Sequence, residues 1–200
     1  MMKRLSLLAA GLLLSAAPLY AEDAEDAAIK VVMKAGGEAQ HEDNDPAKAV
    51  IAVNFTETKV TDADLKSLTA FKRLKGLYLR GTKVTDAGMK SVAALKGLQE
   101  LDLMDTAVTD AGLKELAALK GLKSLYLDGT QVTDAGLKYV AGMKALQNLT
   151  LDKTSVTDEG LKSLKGLKAL ESLTLRETSV TDEGVNKLQD ALPNCGITTK

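Results

Sequence analysis

The sequence predicts an α/β solenoid of short parallel strands alternating with helices, on three observations. A 24-residue unit recurs six times without insertion between Val50 and Pro193. Within each unit, leucines two apart give way, after a Val-Thr-Asp element, to leucines three apart. That is a change from the period of a strand to the period of a helix. The chain also has no Trp, four Tyr and two Phe among 200 residues, so aliphatic side chains must fill most of the interior.

Taken in order, residues 1–21 read as a secretory signal peptide. Lys3 and Arg4 precede an apolar stretch from Leu5 to Pro18, and Leu19-Tyr20-Ala21 leads into acidic Glu22-Asp23. The apolar run is too short to span a bilayer comfortably, although Leu19 is an unusual residue so close to a cut. No Cys sits near Ala21 to carry a lipid. Loss of Lys3 and Arg4 takes the formal charge from -1 to about -3. Residues 22–49 are expected to form an N-terminal cap. Ile29, Val31 and Met33 alternate, Gly36-Gly37 breaks the run, and His41 to Pro46 is polar and turn-rich before Val50 and Val53 enter the first repeat. This predicts strand, turn and strand over the open end.

Within the repeats, Leu98, Leu101 and Leu103 illustrate the strand with one buried face, and Leu113, Leu116 and Leu119 the apolar face of a helix. One such unit cannot bury its apolar face alone, and parallel stacking merges the units into one core. Residues 194–200, in a segment that departs from the repeat at Leu192-Pro193, are expected to form a C-terminal cap or tail. Both ends need covering, because a bare end exposes core and strand edge.

The pattern L-x-x-L-x-L, as in Leu98, Leu101 and Leu103, followed by Val-Thr-Asp-x-Gly-Leu, resembles the leucine-rich-repeat family. The second element resembles the cysteine-containing subclass, without its usual cysteine. Thr58, Thr82, Thr106, Thr130, Thr154 and Thr178 stand where many members carry Asn or Cys. The resemblance implies a right-handed, curved leucine-rich-repeat solenoid, with a parallel sheet on its concave side and helices outside. It also implies binding rather than catalysis. The chain's end is similar to the closing segment of some bacterial members. Leader and repeats together look like small secreted repeat proteins of Gram-negative and related bacteria.

Residues that suggest chemistry have structural readings. Asp62, Asp86, Asp110, Asp134, Asp158 and Asp182 could be taken for a carboxylate stack. Each follows a Thr and opens a helical pattern, so the Thr-Asp pair is read as a helix cap, with either residue able to serve. The six threonines named above are read as a buried ladder that satisfies turn carbonyls. Cys195 is the single cysteine, which excludes an internal disulfide, and His41, the single histidine, lies at the far end of the repeats. A nucleophile needs a base beside it, so Cys195 is read as part of the cap. His41, Glu42, Asp43 and Asp45 lack calcium-loop spacing. No hydrolase, zinc or phosphate-loop motif occurs. No metal, cofactor or enzymatic activity is expected.

A binding role places the functional residues between the leucines. One column is Asn54, Tyr78, Asp102, Tyr126, Thr150 and Thr174, and the next is Thr56, Arg80, Met104, Asp128, Asp152 and Arg176. These positions vary while the leucines do not. The candidate partner-binding residues are Tyr78, Arg80, Asp102, Met104, Tyr126 and Asp128, since exposed Tyr and Arg are common interface anchors. The leading expectation is a non-enzymatic, secreted or periplasmic protein-binding module. The alternative is an envelope-associated scaffold holding a surface polymer or an envelope protein. Near-balanced charge, 26 basic against 27 acidic residues, gives no case for nucleic acid. No segment after the leader could insert stably in a membrane. Lys66, Lys90, Lys114, Lys138 and Lys162 form an outer stripe read as a solvated surface. Six strands span only about 24 Å, a modest interface that weak self-association would extend.

Overall fold

The computed structural model describes residues 24–45 and 49–200. The expected leader over residues 1–21 lies outside the described residues. Eight strands form one sheet in chain order: β1 (Glu38–His41), β2 (Val50–Asn54), β3 (Gly76–Tyr78), β4 (Glu100–Asp102), β5 (Ser124–Tyr126), β6 (Asn148–Thr150), β7 (Ser172–Thr174) and β8 (Gly196–Thr198). β1 runs antiparallel to β2, and every later pair is parallel. Between the strands run a 3₁₀ segment (Asp64–Ala70) and helices α2 (Asp86–Ala93), α3 (Asp110–Leu116), α4 (Asp134–Val140), α5 (Asp158–Leu164) and α6 (Asp182–Gln189), after an N-terminal α1 (Ala24–Lys34). The chain is an α/β leucine-rich-repeat solenoid.

Register explains the core. Leu77, Leu101, Leu125, Leu149 and Leu173 are partners across β3 to β7, and all are 0 % exposed. The strand-following Leu79, Leu103, Leu127, Leu151 and Leu175 are buried too, as are Leu113 and Leu116 on α3. Each such burial contributes about 1.5–3 kcal/mol against solvent exposure. The chain then turns through a left-handed residue: Gly81 and Gly129 in two repeats, and Glu57, Asp105, Lys153 and Glu177 at the same place in the others. The next residue is the ladder threonine. Each of the six donates its hydroxyl to the carbonyl three residues back, at 2.6–2.7 Å. The turn carbonyl is thereby satisfied where water cannot reach it.

Thr, not Asp, caps the helices. The side chains of Thr85, Thr109, Thr133 and Thr157 accept from the amides of Ala87, Ala111, Ala135 and Glu159, and Thr181 accepts from Gly184. The aspartates brace the following repeat instead. Asp62 accepts from the Thr85 amide at 2.9 Å and the Thr85 hydroxyl at 2.7 Å. Asp86, Asp110, Asp134 and Asp158 do the same for Thr109, Thr133, Thr157 and Thr181. This close approach is why glycine stands third in those helices. A Cβ on Gly88, Gly112, Gly136, Gly160 or Gly184 would lie 2.0–2.5 Å from the preceding repeat's Asp Oδ1. The first repeat has no earlier repeat before it and carries Asp64 at that place. Asp64 Oδ2 accepts from the Thr61 amide and hydroxyl at 2.9 and 2.7 Å, and the segment is 3₁₀ rather than α.

The ends differ from the expectation at one place. Residues 29–33, expected as a strand, lie in α1. Ala28 and Val32, four apart, form its buried stripe, while Met33 is 68 % exposed. The apparent alternation of Ile29, Val31 and Met33 spread those side chains around a helix, where four-residue spacing decides what is buried. α1 packs on the 3₁₀ segment and on β1. At the other end, Leu192 and Cys195 are buried, Gln189 Nε2 donates to both of their carbonyls at 2.9 and 3.0 Å, and β8 extends the sheet by one strand.

Candidate partner-binding face

Helices cover one face of the sheet and leave the other open. Strand alternation and register sort the open-face side chains into rows. The first is Gln40, Ala52, Gly76, Glu100, Ser124, Asn148, Ser172 and Gly196, and the second is Glu38, Asn54, Tyr78, Asp102, Tyr126, Thr150, Thr174 and Thr198. A third, just past the strands, holds Thr56, Arg80, Met104, Asp128, Asp152 and Arg176.

Tyr78 and Tyr126 lie on β3 and β5, either side of Asp102 on β4. Neither ring stands free. The Tyr78 hydroxyl donates to Glu100 Oε2 at 2.9 Å. Its ring leans over Gly76, whose missing side chain makes the seat: a Cβ there would lie 3.3–3.4 Å from the Tyr78 hydroxyl and ring edge. Ser124 and Glu100 both lie against the Tyr126 hydroxyl. The two rings and the carboxylate between them thus form a braced platform across three strands. Burial, then the Glu100 hydrogen bond, push the Tyr78 phenol up to about 12. Burial likewise raises Tyr126. Both phenols are therefore neutral donors at any physiological pH. Burial also raises the Asp102 carboxyl, opposed by the Met104 amide, 2.9 Å from Asp102 Oδ1, and by Arg80.

The remaining expected residues differ in what they present. Arg80 is exposed and pairs with Asp105 at 3.4 Å. Met104 is half-buried beside Asp102. Asp128 is only 9 % exposed; it accepts from the Thr150 hydroxyl and, at 2.7 Å, from the Asp152 amide. Asp152 continues the pattern, accepting from the Arg176 amide at 2.8 Å. These carboxylates complete the backbone at the end of the strands, so Asp128 offers a partner charge rather than a free side chain.

Glu100, Glu38 and Gly76 were missed by the sequence reading. Glu100 is two residues before Asp102, so the strand period that selected Asp102 also selects Glu100. Glu38 required knowing that β1 pairs with β2. A cavity of about 360 Å³ opens at this end of the face, lined by Glu38, Gln40, His41, Asn44, Asn54 and Tyr78 over Ala39 and Ala52.

Among the described residues, His41 and Cys195 do not form a catalytic pair. His41 sits on β1 and Cys195 immediately before β8, at opposite ends of the sheet. Burial raises the Cys195 thiol, away from the reactive thiolate. Among the described residues no group of three or more His, Cys, Asp or Glu side chains is placed to hold a metal ion. No described helix is long and apolar enough to cross a membrane.

Comparison with known proteins agrees with this architecture. A family profile described as Leucine Rich repeat matches residues 98–117. No curated protein matches the chain. Among solved structures, internalin C2 of Listeria monocytogenes is similar, with 24 % identity, a TM-score of 0.59, and coverage of 88 % of this chain and 83 % of that one. A leucine-rich-repeat protein of Leptospira interrogans is similar over 66 % of this chain, with 27 % identity and a TM-score of 0.53. This chain spans 33 % of that longer protein. The 24-residue period, the profile match over residues 98–117 and the shared solenoid together show a leucine-rich-repeat fold.

Proposed function

We propose that this protein is a non-catalytic binding module, secreted or periplasmic, that holds a protein partner on the open face of its sheet. One observation carries the reading. The helix-facing side chains paired across β2 to β7, Val53, Leu77, Leu101, Leu125, Leu149 and Leu173, are all Leu or Val and buried. Those on the other side include two braced tyrosines, an arginine and a methionine, and they differ from repeat to repeat. Packing constrains the first set and leaves the second free to answer to a ligand. Tyrosines held by hydrogen bonds lose little entropy when a partner settles on them, which favours affinity. The candidate contact set is Tyr78, Arg80, Asp102, Met104 and Tyr126, with Asp128 contributing charge and Glu100 bracing the rings. The leader-like residues 1–21 support export, and the internalin likeness is compatible with it.

The test is affinity capture from the source organism's envelope fraction with mass spectrometry, followed by titration of the captured protein. Replacing both Tyr78 and Tyr126 by Ala is expected to weaken binding by about 30- to 1000-fold, from about 1–2 kcal/mol per anchor. Unchanged affinity with an intact circular-dichroism spectrum removes this face from consideration. Retention by a surface polymer alone supports the scaffold role instead.

A further inference from the structure

The open face is not electrically neutral where its aromatic platform lies. Across β3, β4 and β5 the rows carry Glu100, Asp102 and Asp128 against one cation, Arg80. That guanidinium is turned toward a further carboxylate, Asp105, at 3.4 Å. Helices α2, α3 and α4 each carry a lysine, Lys90, Lys114 and Lys138, offset by a first-turn aspartate, Asp86, Asp110 and Asp134. Acid therefore outnumbers base on the middle of the open face.

The cavity at the β1 end has the same sign. Its walls bring the carboxylate of Glu38, the His41 imidazole, the amides of Gln40, Asn44 and Asn54, and the Tyr78 ring around about 360 Å³. Side-chain carbonyls and a carboxylate are acceptors, and an aromatic face attracts cations. These are the groups that receive a guanidinium or ammonium, and Ala52 keeps the floor low enough to admit one. The second position lies over β4. There Glu100 and Asp102 stand between the Tyr78 and Tyr126 rings, which are about 10 Å apart by strand spacing.

We propose that the partner presents a basic protein segment to this face, with one Arg or Lys side chain seated in the cavity beside Glu38 and Tyr78 and a second over Glu100 and Asp102 between the two tyrosine rings. The proposal rests on the open-face binding reading above and names the chemistry of its partner. The two positions lie about two strands apart, roughly 10 Å. A segment in the polyproline-II conformation, with three residues per turn and a rise of about 3.1 Å each, puts side chains i and i+3 on one side about 9 Å apart, so the basic side chains belong at those positions.

The test uses the full-length protein and two synthetic peptides: Gly-Arg-Gly-Gly-Arg-Gly, and the same peptide with citrulline for both arginines. Citrulline keeps the shape and removes the charge. Binding is read by calorimetry and by amide chemical shifts. The arginine peptide is expected to bind saturably, shifting the amides of Tyr78, Asp102 and Tyr126, and to weaken as salt rises. The citrulline peptide is expected to bind at least about tenfold more weakly. Glu100→Gln and Asp102→Asn keep their hydrogen-bond acceptors, so the fold is preserved; each is expected to weaken the arginine peptide about threefold or more. Moving the arginines to adjacent positions is expected to abolish the gain from the second one.

Equal binding of both peptides, with shifts on the open face, overturns the basic-partner assignment while leaving the face as a binding surface. No shift there with either peptide overturns the assignment too; the open-face reading then stands or falls on whether the captured native partner responds to loss of Tyr78 and Tyr126. Self-association abolished by Glu100→Gln, without peptide binding, assigns the face to the lysine rows of a second copy and also overturns the proposal.

Discussion

At Gly136 a hydrogen atom in place of a side chain lets two repeats meet. The Asp110 carboxylate reaches across to the amide and hydroxyl of Thr133, at 2.8 and 2.7 Å. A Cβ on Gly136 would stand 2.3 Å from Asp110 Oδ1. Helix propensity alone favours Gly136→Ala by about 1 kcal/mol. Displacing the carboxylate costs more, because overpacking runs to about 1–3 kcal/mol and two hydrogen bonds loosen with it. Gly136→Ala is therefore expected to destabilise, and in an Asp110→Ala background most of that cost should vanish. A double-mutant cycle by urea denaturation is expected to give a coupling of about 1 kcal/mol or more. Additive effects would mean that Asp110 does not brace Thr133. The sequence displayed the aspartates and glycines but not their relation. The partners are 23 residues apart, and only the register of the solenoid brings them together. Asp64, at the glycine position of the first repeat, was the visible clue: the glycine is dispensable where no earlier repeat supplies a carboxylate.

Among the elements, α6 shows what this bracing does. Asp158 accepts from the amide and hydroxyl of Thr181, the residue that caps α6. Those bonds, from the amide first and then the hydroxyl, hold the Asp158 carboxyl below the usual carboxylate range. A carboxyl depressed on folding stabilises above the ordinary value of about 3.9. That contribution is lost as pH falls from there through the lowered folded-state value. Amide-exchange protection in α6, taken relative to the intrinsic rate at each pH, is expected to fall across that acid range, and Asp158→Asn should flatten the response. An equally steep response in Asp158→Asn would place the titration elsewhere. The strand–helix units were legible because leucine spacing changes within each repeat. α1 was not: Ile29, Val31 and Met33 alternate like a strand, while burial of Ala28 and Val32 reveals the helical period only once the first repeat is there to bury them.

The whole molecule is one stack whose two sides obey different rules. On the helix side, volume and apolarity are fixed, so the units repeat leucine, or Val, Phe or Met in its place, and that repetition made the fold readable from the sequence. On the open side no second layer packs, so the residues diverge, and their periodicity gives positions without roles. Strand order, pairing of β1 with β2, and the lean of Tyr78 across Gly76 toward Glu100 turned a column of positions into an acidic, aromatic surface. None of those follows from a 24-residue period.

The division between the two sides is tested most directly on one strand, at adjacent residues. Leu125 is 0 % exposed and Tyr126 lies on the open face. Chemical denaturation of Leu125→Ala and Tyr126→Ala, beside titration of each with the captured partner, separates their roles. Leu125→Ala is expected to cost about 2–5 kcal/mol of stability. Tyr126→Ala is expected to cost under about 1.5 kcal/mol of stability and to weaken partner binding about tenfold. A Leu125→Ala protein as stable as the parent, or a Tyr126→Ala protein that binds unchanged, would contradict the account.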